Sequence, residues 1–348
     1  RWGRYPFWWD SWYEPRLQEF RRELGLDEAL RGARGQTDLQ VQLRHKIRTV
    51  WFDKRPRPAF LKRYGFRRAC RTNTHWHCTH FARMYAMAAA ALGMPARILN
   101  VVRKARGAES THPHMVNDIW SDEHQKWLFM DPLHNFHYEA ADGTPLSAQE
   151  ARDRFFGDNG RDLFLVTLRN RKGITPGRYD LGPRPATDLQ KQFRERTTNL
   201  FWILYYHAQN YFTLSNEDRQ VRMLLYQDAR TRGHRMKNLG EVSYDTEPMV
   251  FDTTSRLDVE PTFHNAEIQL YEIPDDPEGG ERALRVYVNT LTPNLKRIRY
   301  RVNGGGWRGY DVDGFLLPDG RKSYTVEAQT ETLAGRRGRV STVEVRPA

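Results

Sequence analysis

Three residue types that together perform nucleophilic catalysis occur in order along this chain: a cysteine, a histidine and an aspartate. His114 follows Cys78 by 36 residues, and Asp131 follows His114 by 17 residues. A thiolate attacks carbonyl carbons, an imidazole takes and returns the thiol proton, and a carboxylate fixes the imidazole tautomer and supports its charge. These residues are therefore a candidate nucleophile, base and orienting group.

The sequence around Cys78 predicts that this residue begins a helix. The residues after Cys78 are rich in alanine, methionine and leucine, and Gly93 with Pro95 predicts the helix end. A thiol at a helix N-terminus meets unpaired backbone N–H groups and the positive end of the helix dipole, which favour the thiolate. The small alanines predict close packing in a core, which would hold the sulfur at one place.

Two short apolar segments predict the strands that carry the other two residues. His114 opens the segment HMVNDIW, Asp131 ends the segment WLFMD, and the intervening residues SDEHQK are polar. This pattern predicts a hairpin. We expect the hairpin to bring the imidazole and the carboxylate onto neighbouring strands that face the helix-borne thiol.

These segments resemble the core motifs of the transglutaminase-like superfamily over roughly residues 38–168. The matching positions are Cys78, Phe81-Ala82, the segment LGMPAR at 92–97, His114, and the segment WLFMDP at 127–132. The resemblance implies a papain-like, transglutaminase-like α+β catalytic domain in which Cys78, His114 and Asp131 form the triad. Trp76 and Val116 depart from the residue types usual in the family at those positions, and this leaves the substrate class open.

The resemblance implies cysteine-dependent acyl chemistry on an amide bond through a thioester, without a cofactor. Water as acceptor gives a protease or amidase, an amine gives a transglutaminase, and we take hydrolysis as the default. The oxyanion would meet the backbone N–H of Cys78 and a donor from Trp51 or Trp76. His80 either points into the cleft or is a solvated residue of the first helical turn.

Two structural alternatives compete for Cys78. Cys70 and Cys78 are the two cysteines, and in an oxidising compartment they could form a disulfide, which would consume the thiol. The region is also rich in histidine, and His75, His77 and His80 flank Cys78, so zinc binding is a rival. The spacing H-x-H-C-x-H does not match a standard zinc motif, and we predict no metal.

Two other functions are alternatives to cysteine-dependent chemistry on an amide bond. On the same scaffold, an enzyme acting on an acidic polysaccharide, a lyase or hydrolase, would use His114 with Tyr138 as acid and base. A non-catalytic binding module would keep the fold without the chemistry, since a fold does not determine a function.

The composition and charge of the chain limit the classes of partner that we expect. The chain has 348 residues and a net charge of +12, and its basic residues are scattered. No nucleic-acid motif and no apolar run long enough to span a membrane is present, so we expect no nucleic-acid partner and no transmembrane segment. A peptide or protein amide, or an acidic polysaccharide, is the expected substrate. The chain starts without Met, so either a leader has been removed or the sequence has been trimmed at its start. We expect leader removal and an extracytoplasmic location, secreted, periplasmic or surface-attached.

The chain divides into four predicted regions. Residues 1–36 hold four of the ten tryptophans and a helix from Pro15, and we expect the aromatics to pack on the catalytic domain. Residues 37–186 form the catalytic domain, with a strand at 163–168 that would close its sheet. Residues 187–252 form a connecting region in which helix and strand signals are mixed, so the sequence leaves its structure unplaced. From Thr253 onward, apolar residues alternate at period two between Gly-rich turns, which predicts an immunoglobulin-like β-sandwich over 253–348.

Overall fold

A computed structural model describes residues 7–54, 78–102, 113–158, 163–167, 203–210, 221–236, 248–273, 283–317 and 322–346. The chain forms two compact units that divide after Glu260. Both contain several β-sheets, and the first also carries the helices, so the protein is of the mixed α/β class. The predicted domain division at Thr253 stays a prediction.

The first unit carries the helices of the described residues. In its described part they are α1 (Pro15–Glu23), α2 (Leu26–Ala29), α3 (Gln36–Lys54), α4 (Cys78–Ala91), α5 (Ala148–Asp158) and α6 (Arg256–Val259). The helix predicted from Pro15 is confirmed as α1. Proline suits the first helical position because it lacks the N–H that the first turn leaves unpaired.

Helix α4 confirms the predicted start at Cys78 and the predicted stop. Gly93 has φ 73°, a left-handed conformation that glycine adopts without steric cost. The amide of Gly93 donates to the Ala90 carbonyl and the amide of Met94 donates to the Ala89 carbonyl, so the last helical carbonyls are satisfied.

The strands of the first unit form three sheets. They are β1 (Trp8–Trp9), β2 (Ala96–Val102), β3 (His114–Ser121), β4 (Lys126–Met130), β5 (Phe136–Glu139), β6 (Phe164–Thr167), β7 (Ile203–His207), β8 (Gln209–Asn210), β9 (Arg222–Tyr226) and β10 (Met249–Thr253). The largest sheet has the order β10-β9-β7-β2-β3-β4, with β10 and β9 parallel and the other pairs antiparallel. The predicted hairpin of His114 and Asp131 is confirmed as β3–β4.

The six-stranded sheet is covered on both faces, because neighbouring residues of a strand point to opposite sides. One apolar cluster contains Ile98, Met115 and Met130 with the buried side chains of α1, α3 and α4. The other contains Leu99, Val116 and Phe129 with residues of β5, β7, β9 and α5. The central strands are therefore held from both sides.

Two parts of the chain differ from their predicted placement. Strand β6 pairs with β5 in a separate two-stranded sheet instead of closing the six-stranded sheet. Strands β7, β9 and β10, from the region that the sequence left unplaced, occupy that position. The Gly/Pro/Arg-rich segment at 170–186, whose sequence predicts a linker or a long surface loop, lies outside the described residues.

Phe7 and Trp9, two aromatic residues in the described part of the N-terminal segment, pack on the first unit, as expected. Trp9 stacks on Trp127 with ring centroids 6.4 Å apart, and β1 pairs with β8. The Arg97 guanidinium lies 5.5 Å from the ring centre of Phe7 and 4.1 Å from that of Trp127. The segment thus contributes buried aromatic surface next to β2 and β4.

The second unit consists of two antiparallel sheets that share apolar clusters. Its strands are β11 (Glu267–Ile273), β12 (Ala283–Asn289), β13 (Leu295–Val302), β14 (Arg308–Gly309), β15 (Phe315–Leu317), β16 (Tyr324–Thr332) and β17 (Ser341–Val345). One sheet has the order β11-β12-β15 and the other β14-β13-β16-β17. Val288 packs with Ile298 and Ala328 of the facing sheet, so the predicted alternation is confirmed, while an immunoglobulin-like fold stays a prediction.

Within the described ranges, we find no helix with the length and apolarity needed to cross a bilayer.

Candidate active site

Cys78 is a partly buried free thiol in the first turn of α4. Burial alone raises the pKa of the thiol, but the hydrogen bond and charge of His114 and the backbone N–H of Met115 outweigh it. Asp131 acts in the raising direction, and the net effect lowers the pKa of Cys78 below its ordinary value. No acidic residue lies in the first turn of α4, so nothing there opposes the helix dipole.

His114 and Asp131 form a short hydrogen bond next to this thiol. The Nε2 atom of His114 lies 2.6 Å from Oδ2 of Asp131, and the two side chains are 11% and 0% exposed. Since Nε2 faces the carboxylate, Nδ1 is the ring nitrogen left for the Cys78 sulfur. Asp131 and Phe136 exchange two backbone hydrogen bonds, in which the N–H of each residue donates to the carbonyl of the other. These bonds fix the backbone that carries the Asp131 carboxylate.

The charges of these groups shift their pKa values in opposite directions. Burial lowers the pKa of His114, but the charge and hydrogen bond of Asp131, together with Cys78, raise it to about 10. Burial raises the pKa of Asp131, but the charges and hydrogen bonds of His114 and His134 hold it well below its usual range. Together these shifts favour a thiolate beside a protonated imidazole at neutral pH.

His134 is a further residue at this site to which the sequence assigned no role. Its Nδ1 lies 2.8 Å from Oδ2 of Asp131, and its backbone N–H donates to Oδ1 at 2.9 Å. The His134 ring lies 5.0 Å from the His114 ring and its side chain is 49% exposed. The spacing Asp-x-x-His is the sequence feature that could have predicted this contact, because an aspartate at a turn accepts a hydrogen bond from a backbone N–H a few residues later.

The Arg44 guanidinium is a buried cation whose charge interacts with that of Asp131. Burial lowers the pKa of Arg44 to about 10, against the influence of Tyr85 and Asp131, which raise it. The guanidinium donates to Asn135 Oδ1 at 3.1 Å and to His137 Nδ1 at 2.7 Å. Because arginine is only a donor, His137 accepts at Nδ1 and presents its Nε2 hydrogen to Glu139 at 2.9 Å. Sequence reasoning missed Arg44, since a basic residue in a helix ordinarily faces solvent.

Asn117 connects the helix that carries Cys78 to the strand that carries His114. Its side-chain amide donates to the Ala82 carbonyl of α4 at 2.9 Å and to the Arg97 carbonyl of β2 at 3.2 Å. These buried bonds fix α4 against β3, and thereby fix the sulfur relative to the imidazole.

A buried ion pair fixes the register of the same strands. Arg97 lies opposite Asp118 in the β2–β3 ladder, and Arg97 Nη2 lies 2.9 Å from Asp118 Oδ2, with both side chains fully buried. Burial raises the pKa of Asp118 to about 6 even though Arg97 lowers it. The guanidinium also lies 4.1 Å from the Trp127 ring centre and 4.4 Å from the Tyr206 ring centre. Four residues further along the ladder, His114 lies opposite Val101.

The other predicted site residues are distributed as follows. His80 lies in the first turn of α4 and is half-buried. Tyr138 is buried in the apolar cluster on the other face of the sheet, against Phe129 and Phe136. Trp51 lies in α3 with its side chain outside the described part, and Trp76 lies outside the described residues, as do Cys70, His75 and His77.

One group of described residues has donor atoms close enough together to hold a metal ion. These donors, from His114, Asp131 and His134, all lie within 4.8 Å of one another. The same three side chains form the hydrogen bonds given above, so a metal bound between them would compete with those hydrogen bonds. The expectation of no metal and no cofactor stays a prediction.

Residues 27–132 match the model of the transglutaminase-like superfamily. The matched segment begins within α2 and ends at Pro132, so it contains Cys78, His114 and Asp131. No curated protein matches the chain. The match supports cysteine-dependent catalysis in general, because this superfamily usually consists of cysteine hydrolases and acyltransferases. It assigns neither a substrate nor a single reaction to the transglutaminase-like segment.

Proposed function

We propose that the protein is a cysteine amidase or protease that hydrolyses amide bonds through a thioester at Cys78. The hydrogen-bonded series from the Cys78 thiol through His114 to Asp131, at a helix N-terminus within the matched segment, is the observation that carries this proposal. A nucleophile, a base and an orienting carboxylate in this order are what acyl transfer by a thiol requires.

In the proposed reaction, the Cys78 thiolate attacks the carbonyl carbon of the amide. The protonated His114 gives its proton to the leaving amine as the carbon–nitrogen bond breaks, which leaves a thioester. Water then attacks the thioester while His114 takes a proton from it. The carbon–sulfur bond breaks, the carboxylic acid leaves, and Cys78 becomes a thiolate again beside a protonated His114. Asp131 orients the imidazole and stabilises its charge throughout.

The oxyanion of each tetrahedral intermediate would be met by the backbone N–H of Cys78 and a donor from Trp51 or Trp76. Water is preferred over an amine as acceptor because it is present at far higher concentration than any amine.

We further propose an extracytoplasmic site of action, which cell fractionation tests.

For the second unit, we propose an immunoglobulin-like sandwich. Its seven strands are divided into a sheet of three and a sheet of four, and several strands that are consecutive in the chain lie in different sheets.

A product screen with matched variants tests the proposed reaction. Wild type, Cys78→Ser and Cys78→Ala are incubated with peptide pools, with peptides plus a primary amine, and with uronate glycans, and products are identified by mass spectrometry. We expect hydrolysed peptides from wild type and a loss of at least about a hundredfold in Cys78→Ser, because a hydroxyl is poorly activated by the same imidazole.

The remaining outcomes separate the alternatives. Amine incorporation in preference to hydrolysis would convert the proposal to a transglutaminase. Glycan cleavage that survives Cys78→Ser would overturn it in favour of an enzyme without a thiol. A thermal unfolding curve of each variant controls for misfolding, since serine and cysteine differ little in size.

A further inference from the structure

The second unit carries a row of arginines on the outer face of its four-stranded sheet. Arg297, Arg299 and Arg301 alternate along β13, so their Cα atoms are about 7 Å apart. The residues between them, Ile298 and Tyr300, enter the apolar cluster instead. The arginines therefore share the outward face, which we name the arginine face.

The neighbouring strand β16 offers different hydrogen-bond partners to the three arginines. Arg297 binds Glu331 through Nε and Nη2, and Arg301 binds both carboxylate oxygens of Glu327 at 2.7 Å. Arg299, between them, lies opposite Gln329, whose amide is neutral. The central arginine of the row therefore has no carboxylate opposite it.

The face carries an excess of positive charge. Lys296 and Arg337 also approach Glu331, so five basic side chains surround two carboxylates, which leaves a net charge of +3. Burial, and after it the charge of Arg337, lowers the pKa of Arg299, and Arg297 and Arg301 act in the same direction. The internal ion pairs thus do not neutralise the row.

Trp307 lies among these charges. The guanidinium carbons of Arg299 and Arg301 lie 4.6 Å and 4.9 Å from the centre of its ring. The tryptophan is half-buried, while the side chains of Arg297 and Arg337 are more than half exposed. The face therefore combines accessible guanidinium forks with a flat aromatic surface, which is the composition typical of binding surfaces.

We propose that the arginine face binds a carboxylate-bearing polysaccharide. Guanidinium forks bind carboxylates through two parallel hydrogen bonds, as Arg301 already does with Glu327. Glu331 and Glu327 are largely buried, but the side chains of Arg297 and Arg301 are 54% and 31% exposed, so carboxylates of a partner can reach the outer side of each fork. A polyuronate supplies both features that the face offers to bind, repeated carboxylates for the arginines and apolar sugar-ring faces for Trp307.

This proposal does not rest on the proposed amidase activity, because all its residues belong to the second unit. It describes a non-catalytic attachment of the protein to an acidic polymer. The two proposals therefore fail or succeed separately.

The test measures binding of the full chain to polygalacturonate at pH 7 and low salt. Wild type should bind polygalacturonate and not neutral dextran, and added salt should weaken binding because exposed charges are screened. The triple variant Arg297→Gln, Arg299→Gln, Arg301→Gln should lose at least about tenfold in affinity, since it removes all three forks.

Single variants provide matched controls. Arg299→Gln should lose about fivefold, while Arg285→Gln, on the three-stranded sheet, removes the same charge from the same unit and should change affinity by less than about twofold. Arg299→Gln leaves no carboxylate unpaired, so misfolding is not expected, and a thermal unfolding curve checks this. Arg299→Lys keeps the charge without the fork and should fall between wild type and Arg299→Gln.

Three results would overturn the proposal. One is the absence of polygalacturonate binding by wild type at low salt. Another is an equal loss in Arg285→Gln and Arg299→Gln, which would mean that net charge alone attracts the polymer. The third is equally tight, Arg299-dependent binding of double-stranded DNA, polyglutamate or anionic phospholipid vesicles, which would assign the face to another class of partner.

Discussion

At the scale of single residues, the reactivity of Cys78 results from a competition between burial and stabilising contacts. Burial disfavours the thiolate, while the hydrogen bond and charge of His114 and the N–H of Met115 favour it and prevail. His114 keeps its proton until the pH approaches about 10. The thiolate–imidazolium pair should therefore exist from a pH below the ordinary thiol range up to about 10.

We predict that the alkylation rate of Cys78 rises with pH through a lowered pKa. The measurement uses iodoacetamide and a Cys70→Ser background, in which Cys78 is the one remaining thiol of the two. His114→Gln should move this rise above the ordinary thiol value, because the burial penalty remains while its compensation is lost. At pH 6.5 the rate should fall by about tenfold or more, since one pKa unit corresponds to a tenfold change in thiolate.

The same pKa shifts predict a bell-shaped pH profile for hydrolysis. The acid limb follows the formation of the Cys78 thiolate, and the alkaline limb, near pH 10, follows the loss of the His114 proton. A wild-type thiol that titrates at or above the value of a free cysteine would contradict the ion pair.

His134 is expected to position Asp131. Replacing it in His134→Gln removes the ring donor at 2.8 Å, and we expect kcat to fall by about threefold to tenfold with little change in KM, since one bond to a carboxylate is partly replaced by water. The alkaline limb should move upward, because Asp131 then interacts with His114 alone.

The control for His134 is His124→Gln, in the turn at the opposite end of the β3–β4 hairpin. It should leave both kcat and the pH profile unchanged. A fall in kcat for His134→Gln without any movement of the alkaline limb would indicate a merely structural role.

At the scale of secondary-structure elements, the site depends on how β2, β3 and α4 are held together. All the alanines of α4 except Ala90 are buried and allow close approach to the sheet, and Asn117 then links the helix to β3 and β2. The Arg97–Asp118 pair fixes the β2–β3 register from which His114 projects. A one-residue slip of this register would send every side chain of β3 to the other face.

We predict that Arg97→Met destabilises the protein by about 3–5 kcal/mol at pH 8, because it leaves a buried carboxylate without its partner. The loss should be smaller at pH 5. The pKa of Asp118 is already raised to about 6 in the presence of Arg97, so without Arg97 the folded protein holds Asp118 protonated at pH 5. Stability contributed by a raised carboxyl pKa is lost as the pH rises through that pKa. Urea unfolding at both pH values measures the difference.

The double variant Arg97→Met, Asp118→Leu provides the complementary test. It should recover most of the loss at pH 8, since replacing both members of a buried pair by apolar residues removes the unpaired charge. A double variant less stable than either single variant would show that the contacts of Arg97 with Trp127 and Tyr206 outweigh the ion pair.

At the scale of the whole molecule, the candidate chemistry and the arginine face belong to different compact units. Cys78, His114, Asp131 and His134 all precede Glu260. The first unit has its own apolar clusters on both faces of its main sheet, which favours independent folding.

We predict that a chain ending at Glu260 keeps the enhanced reactivity of Cys78. In the Cys70→Ser background, its iodoacetamide rate at pH 7 should agree with that of the full chain within about twofold, since the described groups that shift the thiol pKa, His114, Met115 and Asp131, all precede Glu260. Circular dichroism confirms folding of the truncated chain. A folded truncation with an ordinary thiol would show that the second unit contributes to the site.

The sequence by itself determined the local features of this protein: the helix from Cys78, its stop at Gly93, the strands at His114 and before Asp131, and the alternating strands of the second unit. These follow from helix propensity, turn residues and side-chain periodicity, which act over a few neighbouring residues. The order of three reactive residue types also predicted which side chains to examine, and the family match includes them.

Only the tertiary structure decided which distant groups meet. It paired β6 with β5, added β7, β9 and β10 to the main sheet, and brought Arg44 and His134 toward Asp131. Strand pairing and buried polar contacts depend on packing between segments far apart in the chain, and periodicity within one segment carries no information about its partner. For the same physical reason, the neutral Gln329 opposite Arg299 became visible only once β13 lay against β16.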